Sequence, residues 1–238
     1  MHKNKKSLRD YILFRDSSAA LGIGAMIVFI AMILVAGIAA SVIIQTANQL
    51  EITASVSGEQ TKDEVGTGLR VAHIEGKLDD RNLSGTWYNK TFHNLSIAVD
   101  TRAGSRDIDL STTIIEISNS NIKCIISYNS GEPEFASSVS SSGLFATVDS
   151  SSATNMYEQS ANTFGVIVIK DGDTSCSADN PVINRGDMVK LTINASACFN
   201  GIGSREDVWG QVIPEEGSPG VFSFRTPASN LNNVHEIY

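Results

Sequence analysis

The side chains that could do chemistry in this sequence are carboxylates, amides and thiols, and they gather in a few places. Asp171-Gly172-Asp173, followed by Asp179 and Asp187, is an oxygen-rich turn cluster, and hard cations such as Ca²⁺ prefer oxygen ligands. No Glu closes an EF-hand loop here, and an acidic hairpin loop without an ion accounts for the same residues. Asn82, Asn89, Asn94 and Asn194 each begin an Asn-x-Ser/Thr sequon, three of them within 13 residues. On an extracellular domain these are N-glycosylation acceptors, and a bulky sugar marks an exposed position. The other reading of the same four residues is as polar members of strands and turns.

Nucleophilic and acid–base catalysis has little to work with. Of the four histidines, His2 and His235 stand near the chain ends, which leaves His73 and His93 for any catalytic domain. No Gly-x-Ser-x-Gly elbow, P-loop or His-Glu-x-x-His motif is present. His73 and Glu75 read as a surface pair, and the remaining carboxylates are too scattered to fix two at glycosidase separation. The sequence therefore reads as that of a protein that is not an enzyme and requires no cofactor. Cys124, Cys176 and Cys198 are odd in number and lack metal-type spacing. Two arrangements stay open: a Cys176–Cys198 disulfide with a spare thiol, both being late in the chain, or three reduced cysteines packed as small hydrophobes.

These groups depend on two very different parts of the chain for their positions. Ser17–Leu50 contains no charge, and its centre from Ala20 to Ile44 is apolar on every helical face. Such a helix must be buried all round, in lipid or among copies of itself. At 1.5 Å per residue it reaches about 37 Å, enough to cross a bilayer core of about 30 Å. Gln45, Thr46, Asn48, Gln49 and Glu51 carry it out of the apolar layer, and Gly58 is its expected stop. Small residues recur at four-residue spacing, Ala20/Gly24, Ala36/Ala40 and Gly37/Ser41, which lets helix backbones approach closely. Phe29 is the sole aromatic between Leu21 and Gln49, a candidate knob in a helix bundle or one lipid-facing residue among many.

Beyond Gly58 the composition turns to Ser, Thr, Asn, Val and Ile. Met188–Asn194 alternates with Val189, Leu191 and Ile193 on one face, and Asp207–Ile213 places Val208 and Val212 together with Gly210 between them. Val166–Ile169 and Cys124–Ile126 read as short buried strands separated by turn clusters. The fold class is α+β: a long hydrophobic α-helix followed by an Ig-like antiparallel β-sandwich. Residues 129–155, rich in serine, read as a flexible surface excursion.

Charge orients the chain. Residues 1–19 carry five Lys/Arg and two acids, whereas residues 20–238 carry 13 basic and 24 acidic residues, giving the net −8. An acidic exterior argues against nucleic acid, and a basic flank beside an apolar span stays in the cytoplasm. The bulk of the chain then lies outside. Three treatments of the N-terminus fit: a secretory signal cut near Gly37-Ile38-Ala39, an uncut membrane anchor, or removal of the basic leader alone with the helix retained.

The run from Gly22 to Thr46 closely resembles the N-terminus of archaellins, the archaeal flagellins. The resemblance extends to Asn184–Ile193 and to the block Gly203–Pro227, which contains Asp207-Val-Trp-Gly-Gln-Val-Ile-Pro214. It implies a type IV pilin-like class III leader cut by a membrane prepeptidase. With Gly22 at the third mature position, the cut falls between Ala19 and Ala20. Ser18-Ala19 departs from the basic-Gly pair usual there. The resulting division is leader 1–19, polymerisation helix 20–57 and outer β-sandwich 58–238. Gly22, Gly24, Phe29, Gly37 and Ser41 are the helix residues singled out. The resemblance implies a structural subunit of an extracellular motility filament, with a precursor in the cytoplasmic membrane. Its partners would be further copies of itself and related archaellins, the prepeptidase, the archaellum motor and assembly platform, and the N-glycosylation machinery. Some archaellins hold a metal in the outer domain, which bears on the Asp171 cluster. An archaeal type IV pilin or adhesin shares the leader and helix, and a membrane-anchored extracellular enzyme or binding protein is a more distant alternative.

Overall fold

Helix α1 runs from Lys6 to Gly66, eight residues past the stop expected at Gly58. A glycine in a helix interior costs only about 1 kcal/mol, and Glu59-Gln60-Thr61-Lys62-Asp63-Glu64 are mostly good helix formers, so the helix continues. It ends at Gly66, where the Thr67 N–H still donates to the Asp63 carbonyl at 2.8 Å. The computed structural model describes residues 6–83, 86–129, 135–228 and 233–238, with side chains described outside 6–20 and 81–89.

The chain divides into two units, residues 1–59 and 60–238, close to the expected boundary but inside the helix rather than after it. The last turns of α1 thus belong to the β domain, where Asp63 pairs with Arg106 at 2.9 Å. In the first unit, residues 21–59 are exposed on every face.

The β domain comprises β1 Leu69–Leu83, β2 Thr86–Thr101, β3 Ile108–Asp109, β4 Ile114–Asn119, β5 Lys123–Tyr128, β6 Phe135–Ala136, β7 Thr163–Lys170, β8 Val182–Ile183, β9 Met188–Asn194, β10 Asp207–Ile213, β11 Gly220–Arg225 and β12 Val234–Glu236, with a one-turn helix α2 at Ala195–Phe199. The main sheet runs β11-β10-β4-β5-β7-β9-β2-β1-β12, with β6 also paired to β7 and β3–β8 forming a separate ribbon. Pairing is antiparallel except for β5–β7 and β6–β7. The sheet curls so that its two halves share one core. Ile115, Ile117, Val208 and Phe222 come from one half, and Leu95, Ile97, Val189 and Leu191 from the other. The alternation expected for Met188–Asn194 and Asp207–Ile213 places their apolar residues in this core, as period-2 strands require. Gly210 is fixed by contact: a Cβ there would lie 2.3 Å from the Glu116 carbonyl and 2.6 Å from the Phe222 ring.

The serine-rich excursion is not a free loop. Its described residues pack over the outer face of the central strands, where Ala136, Phe145, Met156 and Tyr157 form a second small core with Ile167 of β7. Asp149 holds it in shape by accepting from the N–H groups of Phe135, Ser151 and Ser152. Burial opposes charge on Asp149, yet these bonds and the Ser151 hydroxyl outweigh it and hold the carboxyl well below its usual range.

Candidate functional site

The residues singled out for assembly all lie on α1. Gly22, Gly24 and Gly37 have nothing within 4 Å of where a Cβ would stand, so the small-residue positions are open hollows on the helix. Between them stand Ile, Val, Leu and Met side chains, and Phe29 is 65% exposed. Ser41 lies on the same exposed helix. Among the described residues one helical stretch, Leu21–Gly66, is long and apolar enough to cross a bilayer. Burying an apolar side chain of this size is worth about 1.5–3 kcal/mol, so a surface of this extent requires a cover. Ala19 and Ala20 fall within the backbone span of α1, with side chains outside the described ones.

The sequons separate into two pairs. Asn94 on β2 stands directly opposite Asn194 on β9. Asn94 is buried, as is its sequon partner Ser96. Asn194 caps α2, its Oδ1 accepting from the Ala197 N–H at 3.2 Å while its Nδ2 donates to the Gln159 carbonyl at 2.8 Å. Ser196 of the same sequon sits 2.7 Å from His93 Nδ1, and Thr91 Oγ1 lies 2.8 Å from the other ring nitrogen. Of the two readings of these asparagines, this geometry favours that of polar strand and turn residues, because a glycan on either would have to displace the sheet or the helix cap. Asn82 and Asn89 lie on the long β1–β2 hairpin, and their side chains are outside the described ones.

Of the four aspartates proposed around a cation, Asp171, Asp173 and Asp187 bring carboxylate oxygens within 4.8 Å of one another. Asp179 does not join them; it lies on the exposed turn between Ser177 and Asn180, whose backbones bond each other. The three are already braced. Asp171 accepts from the Thr174 and Cys176 N–H groups at 2.7 and 3.1 Å, and Asp187 from Asn184 N–H at 2.9 Å. Asp173 accepts from Asn184 Nδ2 at 2.6 Å, and this bond leads the causes that hold its carboxyl below the usual range. Oxygen donors in this arrangement suit a hard cation, while the N–H donors satisfy part of the same charge.

The cysteine pairing is neither of the two arrangements the sequence left open. Cys124 of β5 is bonded to Cys198 of α2, with Cα atoms 6.3 Å apart and a sequence separation of 74, which ties the two halves of the sandwich together. Cys176 is the free thiol, buried, and burial pushes it up to about 12 with the Asp171 and Asp187 charges adding to the effect. His73 faces Glu75 at 3.8 Å, but the closer partner of Glu75 is Lys190 at 2.6 Å. Among the described residues no histidine is placed with a nucleophile and a carboxylate in an open cleft.

The archaeal-type flagellin family profile matches residues 19–224. Flagellin B2 of Methanocaldococcus jannaschii is 38% identical over 230 residues, covering 97% of this chain and 99% of that protein. Flagellin B3 of Methanococcus voltae is 34% identical over 239 residues, covering 92% and 96%. Among solved structures, archaeal flagellin FlaB1 of M. jannaschii superposes with a TM-score of 0.56 at 28% identity, covering 72% of this chain and 96% of that one. The archaeal flagellum subunit of Methanospirillum hungatei, at 14% identity, shares the fold with a TM-score of 0.59 over 91% of this chain and 99% of its own. A long exposed apolar helix, an antiparallel β domain and near full-length kinship agree: the chain belongs to the archaeal-type flagellin family and is a structural subunit of the archaeal flagellar filament.

Proposed function

We propose that the chain polymerises through α1 after a leader ending at Ala19 is removed, and that its β domain forms the outer wall of an extracellular filament. The observation that carries this reading is the exposure of α1 on every face from residue 21 to residue 59. A single uncharged helix can wait in the membrane as one span. Lipid tails and a bundle of Ile- and Leu-rich helices are similar solvents, so transfer between them is decided by packing, and the hollows at Gly22, Gly24, Gly37 and Ser41 favour close approach. A contact of one surface with a different surface, repeated by rotation and rise, does not close and builds a helical filament. The family match beginning at residue 19 supports a mature chain that starts beside it.

The subunit is passive, with no catalytic role, and is moved by a motor at the filament base. The membrane prepeptidase, the assembly platform and the N-glycosylation machinery are its transient partners, and Asn82 and Asn89 are the acceptors that remain once Asn94 and Asn194 are assigned to packing. Asp171, Asp173 and Asp187 are the residues that would hold a divalent ion in the outer domain. Intact mass and N-terminal sequencing of protein sheared from native cells tests the reading. A start at Ala20 or within two residues, with glycopeptides containing Asn82 or Asn89, is expected. A start near Ala40, or an intact Met1 confined to the membrane fraction, would overturn it.

A further inference from the structure

The two halves of the sandwich are finished differently on their outer sides. Over β7, β9 and β2 the excursion lays Phe145, Met156 and Tyr157 across Ile167, and Gln159 Nε2 donates to Thr192 Oγ1 at 3.0 Å. Among the described residues of the β domain, nothing covers β11, β10, β4 and β5 in the same way. On that face Val221 is 63% exposed, Ile125 56%, Trp209 46% and Ile114 40%. Strand register sets Trp209 between Ser223 and Ser118, so the indole stands over short neighbours at the lip of an open groove that Glu116, Lys123 and Gln211 also line.

Electrostatics narrows what fits there. Residues 60–238 hold 13 basic and 22 acidic residues, so two copies of this domain repel across most of their surfaces. The Trp209 face is an exception. Its charges are matched within the face, Lys123 with Glu116 at 3.0 Å and Arg225 with Asp207 at 3.6 Å, and Gln211 Nε2 donates to Glu116 at 3.0 Å. An approaching copy would desolvate no unpaired charge and would bury one aromatic anchor among aliphatic side chains, the composition typical of interface centres. In a filament, the neighbour held at high effective concentration beside this face is another subunit.

We infer that the outer face of β11-β10-β4-β5, centred on Trp209 and Val221, is a lateral docking surface for the β domain of a second copy of this chain. The inference rests on the filament reading, and the contact is separate from that made by α1. Trp87→Phe leaves Trp209 as the sole tryptophan of the two in the chain and permits a direct test on the full-length protein. Filaments sheared from cells making this variant are compared with the same subunits dissociated in detergent, using acrylamide quenching of the indole emission. Quenching about five-fold weaker in the filament, with a blue-shifted emission, is expected for a ring packed as in a protein interior. Equal quenching in both states would overturn the docking surface while leaving the filament reading intact; absence of the subunit from sheared filaments would overturn both. A second variant, Val221→Glu with Ile125→Glu, puts unpaired charges into the contact, and a filament yield about ten-fold below the parent with unchanged thermal unfolding of the β domain is expected. Parent-like yield would overturn the proposal.

Discussion

Helix α1 and the β domain are built from the same apolar residues and use them in opposite ways. Ile33, Val42 and Ile43 of α1 are 52–65% exposed, whereas Ile97, Ile115 and Leu191 of the β domain are fully buried. The β domain buries most of its own apolar surface, the Trp209 face apart, and is held by local register, a disulfide and caps. The helix satisfies nothing alone, and its free energy of burial is released only when lipid or other copies surround it. Folding stability is therefore encoded in the β domain and the largest share of assembly in the helix, and substitutions in each should fail in different ways.

The largest effect is expected in the helix. Ile33→Glu places a charge in the bundle, where an unpaired buried charge costs several kcal/mol. Filaments should be absent by electron microscopy while the β domain melts within a degree or two of the parent. A parallel loss of β-domain stability would erase the distinction between the two regions.

Next comes the covalent tie. Cys198→Ser opens the loop that runs back to Cys124, and the β domain should lose about 3–4 kcal/mol in denaturant unfolding. The disulfide lies outside α1, so filaments of this variant should assemble but dissociate at lower temperature. Cys176→Ser removes no cross-link and should cost less than half as much.

Acid sharpens the comparison further. The Asp149 carboxyl is depressed in the folded chain relative to its ordinary value of 3.8. Its contribution is fully present above about pH 4 and is lost as pH falls toward the depressed folded value, because the unfolded chain takes up the proton first. The β domain should weaken below pH 4, and Asp149→Asn should be less stable at neutral pH and flatter in this acid range. The helix from 21 to 50 has no titratable group and should contribute no pH dependence of its own.

The smallest effect is at a helix cap. Asn194→Ala removes the acceptor for the Ala197 N–H and should cost the β domain about 1 kcal/mol, read as a small shift in midpoint with no effect on filament number.

Much of this was legible in the residues themselves. An uncharged run of 34 residues has one physical reading as a helix, and strict alternation in Met188–Asn194 and Asp207–Ile213 assigns the core face of each strand. The elements that escaped sequence reasoning depend on register and on contacts between distant segments. Cys124 and Cys198 meet because β5 and α2 converge, which proximity in sequence between Cys176 and Cys198 could not reveal. That Asn94 and Asn194 face each other across the β2–β9 register could not be read from their sequons. The second core has too few apolar residues, Phe145, Met156 and Tyr157 among many serines, to stand out from a loop composition. Helix α1 outran Gly58 because the flanking residues favour helix more than one glycine opposes it. The exposed Trp209 face was visible only as the alternate residues of a strand whose other face had already been assigned.

The central claim, that α1 is buried by copies of itself while the β domains stand outside, is tested most directly by a cryo-EM reconstruction of filaments from native cells. Density for residues 21–56 packed around the filament axis, with the β domains enclosing it, is the expected result. Filaments in which this helix is absent, or lies on the outer surface with the β domains at the axis, would contradict it.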